Sequence, residues 1–188
     1  MLVPTHILFE TERLMVRHFA TDDSDNFFLL NGDEDIMRFI RPVKTREETD
    51  LFLLEILQKQ KENPAVGRWA VTKRNTAEFV GSFAFIPIER TDKSDNHRMQ
   101  LGYALLKQNW GKGYATELTM AGLQYVFTKT GLAEIFAITE VPNLASQKVL
   151  LKAGFTLHSN YSEGSKELFQ YIFLKQDFKD QNLADTPL

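Results

Sequence analysis

Leu14 and Val16 alternate with Arg13, Met15 and Arg17, a period near two that predicts a strand within Thr11 to Phe19. Thr21-Asp22-Asp23-Ser24-Asp25 follows and predicts a helix start. Short oxygen side chains accept bonds from free N–H groups there, and acids favour the positive end of the helix dipole. That helix runs from about Ser24 to Leu30. A second helix spans Arg46 to Lys61, with Phe52, Ile56, Leu57 and Gln60 at helical spacing and Asn63-Pro64 stopping it.

Gly67 to Lys73 and Glu78 to Ile88 are rich in Phe, Val, Ile and Trp. They flank Arg74-Asn75-Thr76-Ala77 and predict an antiparallel hairpin. Met99 to Leu106 is a further strand and ends just before a glycine-rich turn. Beyond it Tyr114, Leu118, Ala121, Tyr125 and Val126 mark one helix face ending near Thr130, with Gly131 expected in a left-handed conformation. A strand is expected within Leu132 to Val141, then a helix opened by Pro142-Asn143 and closed by Gly154, then strands at Phe155 to Ser159 and Phe169 to Lys175. The fold class is α/β: a mixed sheet with helices on both faces. One domain over residues 1–178 is expected, with Lys179 to Leu188 a solvated tail.

Composition narrows the chemistry. The 188 residues are 43% hydrophobic and 25% charged, as expected of one soluble globular domain. A net charge of −3 lacks the cationic surface that nucleic acid requires. No apolar run approaches the roughly 18 residues that span a bilayer, and Met1 to Glu10 has no basic stretch leading into an apolar one, so no membrane partner and a cytoplasmic location are expected. There is no cysteine. If a thiol takes part, a cofactor brings it. His6, His18 and His158 are scattered along the chain, and no metal is expected.

Gln108-Asn109-Trp110-Gly111-Lys112-Gly113-Tyr114-Ala115-Thr116-Glu117 joins a strand to an amphipathic helix. Two glycines let the backbone turn tightly and approach a ligand. The helix start presents unbonded N–H groups at a positive dipole end, a seat for phosphate oxygens to which Lys112 adds charge. The spacing matches neither the P-loop nor the dinucleotide-binding pattern. Alone it reads first as an ordinary glycine-containing strand-to-helix turn.

Four segments in order resemble the GCN5-related N-acetyltransferase (GNAT) superfamily, in particular its RimJ/RimL-like branch, which acetylates protein amino termini and small amines. They are Thr11-Glu12-Arg13-Leu14-x-x-Arg17, Gly102-Tyr103-x-Leu105, Trp110 to Glu117, and Asn143-x-Ala145-Ser146-x-Lys148-Val149-Leu150-x-Lys152-Ala153-Gly154-Phe155. The resemblance implies a central, mostly antiparallel, twisted sheet of six to seven strands, splayed between the fourth and fifth. It implies acetyl-coenzyme A as cosubstrate. Backbone N–H groups from Trp110 to Ala115 would hold the pyrophosphate, with Gln108 and Thr116 in the same motif, and Leu105 and Leu106 would bond the pantetheine arm. Asn143 would contact the arm and Ser146 would protonate the leaving thiolate. Both also read as parts of a helix N-cap.

Many relatives carry a glutamate just before the Gly-Tyr pair, where this chain has Gln100, which cannot act as a base. Glu140 and His97 are the alternatives. Glu117 reads as structural, at a helix start that favours acids. Phe39-Ile40-Arg41-Pro42 occupies a position where relatives carry substrate-facing loops, and Arg41 is suited to an acceptor's carboxylate or phosphate, or is an ordinary surface arginine. The expected partner is a primary amine, a peptide N-terminus or a small amine. A homodimer is among the oligomeric states left open, and a non-catalytic acyl-coenzyme A-binding module is the alternative function.

Overall fold

A computed structural model of the chain describes residues 6–88 and 98–178. The predicted hairpin forms as β3 (Gly67–Lys73) and β4 (Phe79–Pro87), with Trp69 opposite Phe83. Around it stand β1 (Ile7–Glu10), β2 (Leu14–Arg17), β5 (Met99–Leu105), β6 (Glu134–Glu140), β7 (Thr156–Glu163) and β8 (Lys166–Leu174). The described residues form one eight-stranded sheet in the order β1-β2-β3-β4-β5-β6-β8-β7. Every neighbouring pair is antiparallel except β5 and β6, which are parallel.

The helices α1 (Ser24–Asn31), α2 (Glu34–Met37), α3 (Arg46–Glu62), α4 (Tyr114–Lys129) and α5 (Leu144–Lys152) accompany the sheet, and residues 175–178 after β8 are helical as well. Leu14, Val16, Trp69, Val71 and Phe83 pack with Leu118, Leu123 and Val126 of α4 and Leu150 of α5. Ala70, Phe79 and Ala104 join Phe27 and Leu30 of α1 and Leu53 and Ile56 of α3 in a second cluster. Strand alternation thus feeds two apolar layers. Trp69 and Phe83, both fully buried, stack at 6.0 Å, and burying such a ring contributes on the order of 1.5–3 kcal/mol.

Several expectations need correction. The sheet has eight strands, not six or seven, because β1 is only four half-exposed residues with too short a pattern to read. The last hairpin extends to Glu163 and Lys166, well past Ser159, since β7 is a largely exposed edge strand without apolar alternation. Asp23 does not cap α1 through its side chain; it is 5% exposed and takes two hydrogen bonds of 2.7 Å from the Arg17 guanidinium. Gly131 is not among the positive-φ residues: Thr130 is extended, and both its N–H and its hydroxyl bond Val126 O, so α4 ends without a left-handed residue. The short α2, capped by Asp33, has no counterpart in the sequence reading. The expected tail at 179–188 lies outside the described residues.

α3 starts at a reciprocal cap. Thr45 Oγ1 accepts the Glu48 N–H at 3.2 Å and the Glu48 carboxylate accepts the Thr45 N–H at 2.7 Å. This fixes the entry of the helix that carries Phe52 to the cleft described next. No helix among the described residues is long and apolar enough to cross a membrane.

Candidate active site

β5 and β6 meet at a single register pair, Gln100 opposite Phe136. Past it β5 stays paired only with β4 and β6 only with β8, so their facing edges diverge toward Leu105 and Glu140. Backbone groups on such edges need partners, and an extended ligand supplies them. The gap opens into a cleft of about 1030 Å³. Gly102, Tyr103, Leu105, Ala137, Thr139 and Glu140 line it, together with Trp110, Gly111, Gly113, Tyr114, Ala115, Asn143 and Ser146.

A single 3-10 turn, Lys107–Asn109, leads from β5 into the glycine segment. Gly111 (φ 73) and Gly113 (φ 80) both take left-handed backbone, which glycine adopts without Cβ strain. Trp110 N–H is already bonded to Lys107 O, and the next N–H with a backbone acceptor is that of Glu117, bonded to Gly113 O. The N–H groups of Gly111 to Thr116 are therefore the ones left for an anion at the start of α4. Leu105 O accepts the Trp110 indole N–H at 2.7 Å, and Leu106 N–H bonds Val80 O. Gln108, Leu106, Lys112 and Thr116 do not line the cleft.

The turn is braced from the far end of the sheet. Arg13 Nη1 donates to Lys112 O at 3.0 Å, and its guanidinium lies 4.7 Å from the Tyr114 ring centre. Glu117 clamps this arrangement: it pairs with Arg13 at 2.6 Å and accepts from the Arg13 N–H and the Thr11 hydroxyl. Burial pushes the Glu117 carboxyl up, but the bonds from Thr11 and Arg13 outweigh it and hold the carboxyl below its ordinary value. A group depressed in the folded state stabilises above its unfolded pKa, about 4.3 for glutamate, and loses that contribution as pH falls through the folded value. With the Arg13 side chain nearly half exposed, Glu117→Gln is expected to cost about 1–2 kcal/mol, a Tm fall of roughly 2–8 °C at pH 7. Melting curves at pH 7 and pH 3 check this, and the difference between the proteins should shrink at the lower pH.

On the other side of the gap, Asn143 Oδ1 accepts the Ser146 N–H at 3.1 Å and caps α5, as expected of an N-cap. The Ser146 hydroxyl lies 3.4 Å from the Tyr103 hydroxyl, which projects from β5 across the splay. Burial raises the Tyr103 pKa above its ordinary value, with the Ser146 contact pulling the other way, so the phenol keeps its proton near neutrality. Gly154 (φ 92) follows the end of α5.

Four carboxylates line the cleft: Asp35, Glu55, Glu140 and Glu163. Lys166 on β8 donates to Glu140, and Asp35 pairs with Lys107 at 3.0 Å. Gln100 lines the cleft as well, whereas His97 lies outside the described residues. The His6 and His18 rings lie 4.8 Å apart, tilted by 51°, away from the cleft. Among the described residues no group of three or more His, Asp or Glu is arranged to hold a metal ion. Tyr103 beside Ser146, Lys166 on Glu140 and the Arg13 brace were not foreseen as site features. Each pairs residues far apart in sequence, where spacing carries no signal.

Residues 13–156 match the acetyltransferase (GNAT) domain. In sequence the chain is 25% identical over 150 residues to the uncharacterized N-acetyltransferase YoaA of Bacillus subtilis (strain 168), covering 79% of this chain and 82% of that protein. In structure it is similar to an acetyltransferase (GNAT family) from Bacillus anthracis, with a TM-score of 0.75 and 24% identity over 89% of this chain and 98% of that one. It is similar also to the spermidine N-acetyltransferase from Vibrio cholerae in complex with CoA and spermine, with a TM-score of 0.72 and 20% identity over 88% of this chain and 98% of that one. At such identities the structural likeness speaks for the fold. Because the family match covers most of the chain and includes both the glycine turn and the Asn143–Ser146 block, the protein belongs to the GNAT acetyltransferase family.

Proposed function

We propose that the protein is an N-acetyltransferase that moves acetyl from acetyl-coenzyme A directly to a primary amine within one ternary complex. The observation that carries this is the splay of β5 from β6, with the free N–H groups of Gly111 to Thr116 at its mouth and the Ser146 and Tyr103 hydroxyls inside it. That geometry fits a long ligand with a phosphate at one end and an amide-bearing arm. Bound acetyl-coenzyme A supplies the acetyl group as a thioester and leaves as the thiol.

The chain's residues divide the remaining work. The N–H groups after Trp110 receive phosphate oxygens, and the unpaired edges of β5 and β6 hold the arm as an added strand. Asn143 uses Oδ1 on the α5 cap, so its amide NH₂ is the part left for the arm. Ser146 donates its hydroxyl proton to the departing sulfur and is reprotonated through Tyr103, whose raised pKa keeps a proton available. Gln100 cannot take a proton from the acceptor. Glu140, on the cleft wall and oriented by Lys166, takes it through water.

The acceptor must be neutral to attack. An α-amine of pKa about 7.7–8.0 is roughly one-tenth neutral at pH 7, whereas a lysine near 10.4 is almost fully protonated. Thiol release with a terminal-amine peptide is therefore expected to rise nearly tenfold per pH unit below about 7.7 and then level, while an alkylamine's rate keeps rising toward pH 10. A panel of N-terminal peptides and small amines, polyamines included, assayed for free thiol tests the proposal. Tight acetyl-coenzyme A binding with no turnover on any amine would instead indicate a non-catalytic acyl-coenzyme A-binding module.

A further inference from the structure

The wall of the cleft that carries Arg38, Phe39, Ile40 and Arg41 follows directly from α2, because the N–H groups of Ile40 and Arg41 both bond Met37 O, at 2.8 and 3.1 Å. A helix of four residues does not hold itself together, and its position is set by what it touches. Ile36 and Met37 are buried in the cluster that includes Ala104 and Leu106, which presses α2 toward the end of β5. Apolar packing is non-directional, so it holds the helix down without fixing how it is turned. A second contact is directional. Lys107 Nζ lies 2.9 Å from Asp33 Oδ2 and 3.0 Å from Asp35 Oδ2, while Asp33 Oδ1 caps α2 by accepting the N–H groups of Asp35 and Ile36.

Lys107 is itself a fixed post. It opens the 3-10 turn between β5 and the glycine segment, its carbonyl accepts the Trp110 N–H at 3.1 Å, and the preceding Leu106 N–H is tied to Val80 O at 3.0 Å. The bond from Lys107 holds the Asp33 carboxyl below its ordinary value, and the bonds to Asp33 and Asp35 raise the Lys107 ammonium above its own, so both stay charged at neutral pH. An isolated exposed pair contributes little, but one ammonium shared between two carboxylates, one of them locked by its capping role, is a network with a defined geometry. A phosphate seated on the N–H groups of Gly111 to Thr116 stiffens the segment on which Lys107 stands. We propose that Lys107 is a positioning residue: it ties the turn that receives the cofactor to the cleft-lining loop at 38–41, so that a cofactor bound on the turn sets that loop for the incoming amine. This rests on the amine-acetylating reading above and extends it to how the acceptor is placed.

Hydrogen–deuterium exchange reads the tie without any acceptor. In the free protein Lys107→Met should speed exchange of the Ile40 and Arg41 amides about three- to tenfold, the worth of a modest ion-pair network, and leave the α4 amides from Leu118 to Val126 unchanged. Coenzyme A should slow the same two amides about threefold or more in the original protein and not in the variant. Lys107→Arg should restore most of both effects, since a guanidinium also spans two carboxylates. In turnover of the fastest amine of the panel, Lys107→Met should raise the acceptor KM about three- to tenfold while kcat and coenzyme A affinity stay within about twofold. Exchange at 38–41 that is the same in the original protein and Lys107→Met overturns the tie, as does coenzyme A that binds without slowing those amides. A loss of coenzyme A affinity as large as the rise in KM, or no rescue by arginine, overturns it too. Faster exchange in the free variant, with no coenzyme A binding or no turnover of any amine in the original protein, keeps Lys107 as the anchor of the loop and removes the enzymatic reading.

Discussion

Replacing Gly113 with valine is expected to weaken coenzyme A binding at least a hundredfold in calorimetric titration. Space is not the obstacle, since a Cβ at this position meets nothing nearer than an Arg13 nitrogen at 3.5 Å. The obstacle is the backbone at φ 80 and ψ 0, where a β-branched residue is strained by roughly 1–2 kcal/mol or more. The turn relieves that strain by rotating, and rotation re-aims the N–H groups of Gly113 and Tyr114. Losing two hydrogen bonds to a phosphate, each about 1.5–3 kcal/mol, amounts to two decades or more in Kd. Gly113→Ala should fall between the two proteins, and the α4 core of Leu118, Leu123 and Val126 should keep both variants folded by circular dichroism. An unchanged Kd in the valine variant would remove this turn from cofactor binding.

Ser146→Ala is expected to lower kcat about a hundredfold, within the range for losing a positioned proton donor, while leaving coenzyme A affinity within about twofold. The substitution separates two roles that coincide at this position. The α5 cap uses the backbone N–H of Ser146, which alanine retains, so the helix start and the position of Asn143 survive. The hydroxyl facing Tyr103 at 3.4 Å is all that is lost. Tyr103→Phe should show a smaller loss, about tenfold, because Ser146 keeps its hydroxyl and draws on water. Stopped-flow or steady-state thiol release measures both. If Ser146→Ala turns over at the original rate, the residue is a helix-start residue and nothing more.

Elements built from neighbours in sequence were readable before any tertiary structure was known. The β3–β4 hairpin, α3, α4 and the strand ahead of the glycine turn match their patterns closely, because helix and strand preferences are set by residues a few positions apart. Failures fell where the local pattern is thin: four residues of β1, the polar β7, and Asp23, whose capping potential lost to a bidentate pair with Arg17. Gly131 departs from its expected left-handed conformation for a related reason. A helix end needs a left-handed residue only when its carbonyls lack other donors, and Thr130 supplies two.

The glycine turn before α4 and the Asn143 cap with Ser146 one turn inside each depend on a contiguous segment and are legible from spacing, whereas the splayed sheet is expected from the family resemblance alone. What faces what across the cleft depended on the fold. Thr11 reaches Glu117 across 106 positions and Tyr103 reaches Ser146 across 43. Lys166 comes to Glu140 from 26 residues away, and Arg41 and Arg68 converge on Phe52 from two different elements. A charge's role is decided by burial and by its partners, and both are properties of the packed chain. The proposed cofactor end, made of backbone turned by glycine, is therefore visible in the sequence, while the opposite wall of the cleft, made of side chains gathered from distant segments, emerges only once the chain is folded.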